Sequence, residues 1–270
     1  MSVDVMPARA TRWDRLGRHL RGELVTPSDP RYERARVGYW AQFDHVRPGA
    51  VAYCETPADV VACLAFCQDA DVPAVPRSGG HSLGGYSTTE GLVVDVSRMS
   101  RVRTERTGDA VTAVVGAGAR QVDALLALWD DGVVVPGGMC PTVSLGGFVS
   151  GGGFGWLTRK HGMASDHVLA AEVVLADGRV VRCSESAEPE LFWALRGAGG
   201  GNFGVITEYE MRVRRVPRLV AFHLRWPGDA AADVIAAWQR WVVDGPDELG
   251  TGLTVTASGG EPGTVDVTGG

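Results

Sequence analysis

The sequence lacks an excess of basic residues: its 26 Lys and Arg are outnumbered by 32 Asp and Glu, which leaves a net charge of −6. Nucleic-acid and anionic-membrane partners call for a basic face, so this balance argues against both. No apolar run approaches the ~18 residues that a membrane span needs. The first twenty residues, MSVDVMPARATRWDRLGRHL, contain no apolar core of the secretory kind. We therefore expect a cytoplasmic protein without a membrane partner.

Cysteine is scarce, and metal-binding motifs are absent. The five cysteines are an odd number without the spacing of a disulfide framework. Cys63 and Cys67 stand four residues apart on a predicted helix, where we expect small, buried hydrophobic side chains. The chain contains no CxxC or HExxH motif and its six histidines are scattered, so we expect no metal site.

Glycine, in contrast, is abundant and clustered: the chain has 37, about twice the usual ~7%. Eight of them lie among the nineteen residues from Gly137 to Gly155, with Cys140 near the start. Two more glycine-rich loops run over residues 77–85, around His81, and over residues 197–204. A backbone without Cβ atoms can approach a ligand closely, and its N–H groups can form an anion-binding concavity. Three such loops predict a site for a large, partly anionic ligand.

Hydrophobic periodicity predicts an α+β chain in which short strands alternate with helices. A basic amphipathic helix is predicted over residues 10–24, and Thr56-Pro57 starts a second helix that ends near Asp71. The sequence Ala176-Asp177-Gly178-Arg179 is typical of a hairpin turn, with strands over residues 170–175 and 180–183.

The pattern of the chain changes beyond Pro217. A strand, an amphipathic helix and another strand are predicted there, followed by a tail, SGGEPGTVDVTGG, in which a strand has barely begun. We therefore expect a lead-in over residues 1–45, a main domain over 46–216 with its boundary near Val216, and an incomplete second domain over 217–270. The abrupt ending suggests a truncated chain.

A Rossmann-type dinucleotide site is not supported by the glycine motifs. Gly116-Ala117-Gly118 follows a strand and opens a helix, but Gln121 occupies the third glycine position. The segment from Gly199 to Gly204 matches G-x-G-x-x-G, yet it opens into a β-branched strand. The helix N-terminus that binds the pyrophosphate in such folds is therefore missing.

A set of ordered motifs resembles the FAD-binding domain of the berberine bridge enzyme-like oxidases, in the vanillyl-alcohol oxidase (PCMH-type) superfamily. The resemblance covers about residues 46–216. It is carried by Arg77-Ser78-Gly79-Gly80-His81-Ser82, Gly137-Gly138-Met139-Cys140-Pro141-Thr142-Val143, Gly151-Gly152-Gly153-Phe154-Gly155, Arg159, His161-Gly162, Asp166, Phe192-Trp193-Ala194-Leu195-Arg196-Gly197 and Gly201-Asn202-Phe203-Gly204-Val205-Ile206-Thr207.

The resemblance implies a PCMH-type FAD-binding domain of two α/β subdomains, followed by the start of an antiparallel-sheet substrate domain. It also implies FAD held by two covalent bonds, from His81 and from Cys140. In agreement, each is the only nucleophile of its type within its glycine loop. Without the flanking motifs, His81 is read as a loop histidine bonded to backbone and Cys140 as an inert thiol.

The remaining cofactor residues follow from the same resemblance. Backbone amides from Ser78 to Ser82, helped by the charge of Arg77, are expected to hold the pyrophosphate. His161 resembles a residue near the flavin N1–C2=O end, although a structural histidine is the alternative. The residues expected along the flavin and ribityl chain or around the adenosine are Gly146, Gly147, Gly152, Gly153, Gly155, Asp166, Val205 and Ile206.

The resemblance implies an FAD-dependent oxidase that takes hydride from an alcohol, sugar or secondary metabolite and passes electrons to dioxygen. The alternatives are a flavin dehydrogenase that does not use oxygen, and a non-catalytic flavin-binding fragment. In the family, the general base comes from a C-terminal part without a counterpart in this sequence, so no catalytic residue is assigned. The sequence does not define the substrate or the oligomeric state.

Overall fold

Helices and strands alternate in the computed structural model, which describes residues 12–215 and 218–270. The strands are β1 (Glu23–Val25), β2 (Ala50–Tyr53), β3 (Ala74–Arg77), β4 (Leu92–Asp95), β5 (Val102–Thr107), β6 (Ala110–Gly116), β7 (Val133–Val134), β8 (Val168–Val174), β9 (Val180–Ser184), β10 (Val205–Arg212), β11 (Arg214–Arg215), β12 (Phe222–Pro227), β13 (Thr251–Ser258) and β14 (Glu261–Gly269). The helices are α1 (Arg12–Gly17), α2 (Tyr32–Arg36), α3 (Pro57–Ala70), α4 (Gln121–Trp129), α5 (Leu145–Ser150), α6 (Thr158–His161), α7 (Pro189–Ala194) and α8 (Ala231–Asp244).

The first sheet has the strand order β1-β2-β4-β3. Its strands β2, β4 and β3 run parallel, and all four residues of β4 are buried, as expected for a parallel strand that is covered on both faces. Helix α3 connects β2 to β3. Thr56 and Asp59 form a capping box at its start, and Asp71 ends it in the left-handed region at φ 50°. The predicted bounds of this helix are confirmed.

The second sheet is antiparallel, with the order β5-β6-β10-β8-β9. The predicted β8–β9 hairpin is confirmed: Asp177 Oδ1 accepts the Arg179 N–H at 3.0 Å, and Gly178 adopts φ 82°. Strand β5, with the sequence VRTERT, was not predicted. It is an edge strand with an exposed second half, so its charged residues show no hydrophobic pattern.

One hydrophobic core joins these two sheets and the helices packed on them. Leu92, Leu128, Leu145 and Tyr209 come from four different elements and are all completely buried. Burial of a side chain of this size stabilises the fold by about 1.5–3 kcal/mol. The core therefore fixes α5 and β10, both of which contribute to the candidate site, relative to each other.

The N-terminal segment differs from the prediction. The helix expected over residues 10–24 is limited to α1, and Leu24 lies in β1, which pairs with β2. Leu16 of α1 is 1% exposed and belongs to the main core. The first sheet thus takes a strand from the segment that was predicted as a lead-in, while residues 1–11 and the boundary near Val216 lie outside the described residues.

A third sheet follows, with the order β12-β14-β13 and antiparallel pairing. The expectation of a barely begun strand in the tail is wrong, because β14 is nine residues long and occupies the centre of this sheet. Its two turn glycines and the proline within it hid the strand from the sequence pattern. The expected α+β class is confirmed. Across residues 12–215 and 218–270, no helix has the length and apolar character to cross a bilayer.

Candidate functional site

The glycine loop after β3, residues 78–82, lies against the start of α5. A Cβ on Gly79 would come within 2.8 Å of the Ser144 backbone nitrogen, and Gly80 adopts φ 69°, which favours glycine. The Gly80 carbonyl accepts the Tyr39 N–H at 3.0 Å. This loop therefore contacts the start of α5 on one side and the segment before β2 on the other.

Arg77, at the end of β3, does not direct a free charge into the loop. Its Nε donates to Asp95 Oδ2 at 2.7 Å, and both side chains are 5% exposed. Its other nitrogens donate to the carbonyls of Ala35 at 2.6 Å and Arg36 at 3.3 Å. A buried guanidinium requires a charged partner, and Asp95 provides it. The help of Arg77 in holding a pyrophosphate stays a prediction.

A cavity of about 330 Å³ opens between the loop, α5 and the start of β10. Its walls bring together ten of the predicted cofactor residues: Arg77, Ser78, Gly79, Gly80, His81, Ser82, Gly146, Gly147, Val205 and Ile206. The third glycine loop contributes Gly200, Gly201 and Gly204. Residues from all three glycine-rich loops therefore line the same cavity. Cofactor binding by these residues stays a prediction.

The glycines of this wall leave space that protein atoms do not fill. A Cβ on Gly147 would meet only Ser78 Oγ, at 4.0 Å, and one on Gly200 would meet only the Gly147 Cα, at 3.5 Å. Side chains at these two positions would occupy the cavity rather than collide with the fold. This is the pattern expected when a ligand, rather than another chain segment, needs the room.

Cys140 and His81 meet through one hydroxyl group. Thr142 Oγ1 lies 3.0 Å from His81 Nε2 and 3.5 Å from Cys140 Sγ. The Tyr39 ring stacks on the His81 imidazole, with 4.1 Å between the ring centroids and 23° between the planes. The imidazole is therefore held on one face and at one nitrogen, beside the only cysteine that is not buried.

The electrostatics of the pair favour nucleophilic forms. Burial lowers the pKa of His81, which favours the neutral imidazole with one unprotonated nitrogen. The pKa of Cys140 is lowered chiefly by the Thr142 hydroxyl, then by the backbone N–H of the same residue, against a smaller opposing effect of burial. A lower thiol pKa raises the thiolate fraction, and the thiolate is the reactive form.

A second cavity, of about 610 Å³, shares Gly79, Gly80, His81 and Ser144 with the first. Its polar lining includes Arg120, whose guanidinium is paired with Asp123 at 2.6 Å. Because the 78–82 loop forms a wall of both cavities, His81 borders both spaces.

The GGGFG stretch is used for packing rather than for the cavity wall. A Cβ on Gly153 would lie 2.6 Å from the Phe148 ring, and one on Gly155 only 2.0 Å from the Gly137 carbonyl oxygen. Gly152 adopts φ 102°, and a Cβ there would meet the Met163 side chain at 3.0 Å. The close approach that these three glycines permit here is to other protein atoms, and their place along the flavin stays a prediction.

Asp166 and His161 also lie outside the walls of both cavities. Asp166 is exposed, and its Oδ2 accepts the Met163 N–H at 2.8 Å, which stabilises a local turn. Its contact with an adenosine stays a prediction. The His161 carbonyl accepts a hydrogen bond from His167 Nε2 at 2.8 Å. Burial, followed by the nearby charge of Arg214, lowers the pKa of the His161 ring.

Sequence reasoning gave no role to Thr142, Tyr39 or Gly200. Thr142 stands within a quoted motif, two residues after Cys140, but its bridging position depends on a contact across 61 residues of sequence. Tyr39 belongs to an aromatic-rich loop, and nothing in the pattern of that loop indicates stacking on a histidine. Only the density of glycines around Gly200 was a usable signal.

Comparison with known protein families matches residues 48–184 to a family described as FAD binding domain. The FAD-linked oxidoreductase pytB of Aspergillus terreus is 41% identical over 217 residues, which cover 80% of this chain and 26% of the relative. The (R)-6-hydroxynicotine oxidase of Paenarthrobacter nicotinovorans is 36% identical over 209 residues, which cover 77% of this chain and 45% of that protein.

Among solved structures, BBE-like 1 of Physcomitrella patens superposes with a TM-score of 0.87 at 31% identity. The match covers 96% of this chain and 56% of the moss protein. The third sheet is thus part of the shared fold, and this chain spans about half the length, or less, of the proteins that it resembles.

Proposed function

Because this chain belongs to the FAD binding domain family of the berberine bridge enzyme-like oxidoreductases, we propose that it holds FAD covalently through His81 and Cys140. The backbone from Ser78 to Ser82 would hold the pyrophosphate, and Val205 and Ile206 would pack against the adenosine. Gly147 and Gly200 leave room for the flat part of the cofactor.

The observation that carries this proposal is the joining of His81 and Cys140 by the Thr142 hydroxyl. The two residues come from glycine loops almost sixty residues apart in sequence, yet one hydroxyl contacts both. His81 borders the glycine-lined cavity, whereas Cys140 lies outside its walls and is linked to His81 through Thr142. Within the described residues, neither side chain takes part in a salt bridge or a disulfide.

Bound FAD supplies a two-electron acceptor whose N5 takes hydride from substrate and which dioxygen reoxidises. Each covalent bond from His81 or Cys140 replaces one hydrogen on the protein atom and one on the flavin. Dioxygen is the oxidant that takes up the two electrons and two protons released.

The proposed activity is oxidation of a small molecule at a carbon that bears a hydroxyl or amine group, with oxygen as the second substrate. The names of the relatives support this class, since one acts on (R)-6-hydroxynicotine. None of the described residues is assigned as the general base. A steady-state requirement for oxygen would support an oxidase, and turnover only with an artificial electron acceptor would support a dehydrogenase.

Acid precipitation of the full 270-residue chain after incubation with FAD tests the attachment. We expect a yellow pellet, and tryptic peptides that contain His81 and Cys140 joined by a single flavin mass. His45→Ala, which changes an exposed histidine on another loop, is the matched control and should leave the cross-link intact.

Three variants separate the two bonds. His81→Ala and Cys140→Ser should each retain a single bond to the other residue, and the double variant should release all flavin in acid. A native protein that contains FAD but gives a colourless pellet and unmodified peptides would contradict covalent attachment. A chain that retains no FAD at all would contradict the whole proposal.

A further inference from the structure

The Thr142 hydroxyl has one hydrogen and two partners, and this limits how the three side chains can be bonded. If the hydroxyl donates to Cys140 Sγ, it must accept from His81 Nε2–H. If it donates to Nε2 instead, it accepts from a Cys140 thiol and His81 carries its hydrogen on Nδ1. The geometry, 3.5 Å to sulfur and 3.0 Å to nitrogen, permits both arrangements.

The position of Thr142 is fixed by backbone bonds on either side of it. Val122 N–H donates to the Pro141 carbonyl at 3.2 Å, and Gln121 N–H donates to the Val143 carbonyl at 2.9 Å. These bonds tie the threonine to the first turn of α4. The contact with His81 is therefore built into the fold.

His81 is fixed to a comparable degree. Trp40 Nε1–H donates to its carbonyl at 3.3 Å, and the stacked Tyr39 ring limits rotation of the imidazole. With Nε2 against Thr142, the imidazole has Nδ1 as its remaining nitrogen. Two rigid segments thus present one defined edge of the histidine.

The first arrangement is the one compatible with the thiolate, which is the form of Cys140 that reacts. The Thr142 hydroxyl lies 3.5 Å from the sulfur and can donate to it. A thiolate accepts and cannot donate, so the hydroxyl hydrogen points to sulfur and its lone pair is left for His81 Nε2–H. Deprotonation of Cys140 thereby selects the His81 tautomer that carries its hydrogen on Nε2.

We propose that Thr142 is a positioning residue that couples the two flavin attachment sites, donating to Cys140 Sγ while accepting from His81 Nε2–H. Nδ1 of His81 is then the nitrogen that is free to form a bond. Only the effect on flavin attachment rests on the proposed function. The contacts of Thr142 with His81 and Cys140 exist without flavin.

The first test uses the FAD-free chain, so that its outcome does not depend on cofactor attachment. Thr142→Val keeps the shape and removes the hydroxyl, Thr142→Ser restores it, and Thr254→Val, on an exposed strand of the third sheet, is the matched control. The readouts are the rate of Cys140 alkylation by iodoacetamide as a function of pH, and the His81 tautomer from ¹⁵N chemical shifts.

Thr142→Val should raise the midpoint of the alkylation profile and slow alkylation at pH 7 about tenfold, the effect of one lost charge-assisted hydrogen bond. It should also reduce the population of the Nε2–H tautomer. Thr142→Ser and Thr254→Val should behave like the wild type. A midpoint and tautomer unchanged in Thr142→Val would overturn the inference, whether or not the chain binds flavin.

The second test follows flavin attachment by mass spectrometry of acid-treated peptides over time. Thr142→Val should still bind FAD in native gel filtration but form both bonds several-fold more slowly, and Thr142→Ser should restore both rates. Attachment by Thr142→Val at the wild-type rate at either residue would refute the coupling. Reversible FAD in the wild type would instead count against the proposed covalent attachment, and the alkylation test would still decide the role of Thr142.

Discussion

Replacement of Gly147 by leucine separates ligand binding from folding at the centre of the candidate site. Gly147 lies in α5 and lines the cavity, and a Cβ there would meet only Ser78 Oγ, at 4.0 Å. The added side chain therefore projects into the space proposed for FAD. Gly151, at the end of the same helix, is the matched control, because a Cβ there would make only ordinary contacts and the residue lies outside both cavities.

The two effects of Gly147→Leu have opposite signs. Crowding a well-packed site costs about 1–3 kcal/mol, and each ~1.4 kcal/mol changes a dissociation constant tenfold, so the FAD dissociation constant should rise about 10- to 100-fold. In the FAD-free chain, leucine is a better helix former than glycine by about 1 kcal/mol. The melting temperature should therefore rise by about 2–4 °C, as expected for a chain of this size.

Binding must be reversible for this measurement, so both variants are made in a His81→Ala/Cys140→Ser background. Titration followed by flavin fluorescence gives the dissociation constant, and thermal unfolding monitored by circular dichroism gives the stability. Gly151→Leu should bind FAD like its parent. If Gly147→Leu binds FAD with unchanged affinity while it remains folded, the cavity between the glycine loops is not the flavin site.

Three further predictions concern the chemistry and stability around the site. Iodoacetamide should label Cys140 alone in the native FAD-free chain, because the other four cysteines are buried, and a second adduct in the intact mass would show that the core opens. Arg77→Met should lower the free energy of urea unfolding by about 3–5 kcal/mol, since it leaves Asp95 buried without its charged partner. The double variant Arg77→Met/Asp95→Asn should recover part of this loss. If the single and double variants are equally unstable, the ion pair is not the cause of the loss. Tyr209→Phe removes a hydroxyl that donates to the Gly146 carbonyl at 3.2 Å and should lower the free energy of unfolding by about 1 kcal/mol, whereas an unchanged value would show that this bond does not hold α5 in place.

Much of the site could be predicted because its signals are local. The sequence alone indicated the loop around His81, the loop around Cys140 and the start of β10, and the structure brings them to one place. The capping box at Thr56 and the turn at Gly178 were predictable for the same reason, since each depends on three or four neighbouring residues.

The errors arose where a residue's partner lies far away in sequence. The charge of Arg77 was expected to help hold a pyrophosphate, but the sequence around it did not reveal the partner Asp95, which lies eighteen residues later. Strand β14 became recognisable only through its two neighbours in the third sheet, because Pro262 and the adjacent glycines interrupt any local strand pattern. The edge strand β5 is held by pairing with β6 and by the Arg103–Glu208 contact at 3.0 Å, neither of which its own sequence reveals.

Clustered glycines had two different uses here, and only the surroundings of the absent Cβ distinguish them. At Gly153 and Gly155 the missing atom would collide with protein, so those residues allow the chain to pack against itself. At Gly147 and Gly200 it would enter an open cavity, which indicates a ligand. Alanine at the first kind of position should therefore destabilise the FAD-free fold, whereas alanine at the second should leave that fold intact and weaken FAD binding. The same substitution, made at Gly155 and at Gly147, thus assigns each glycine to the fold or to the cofactor.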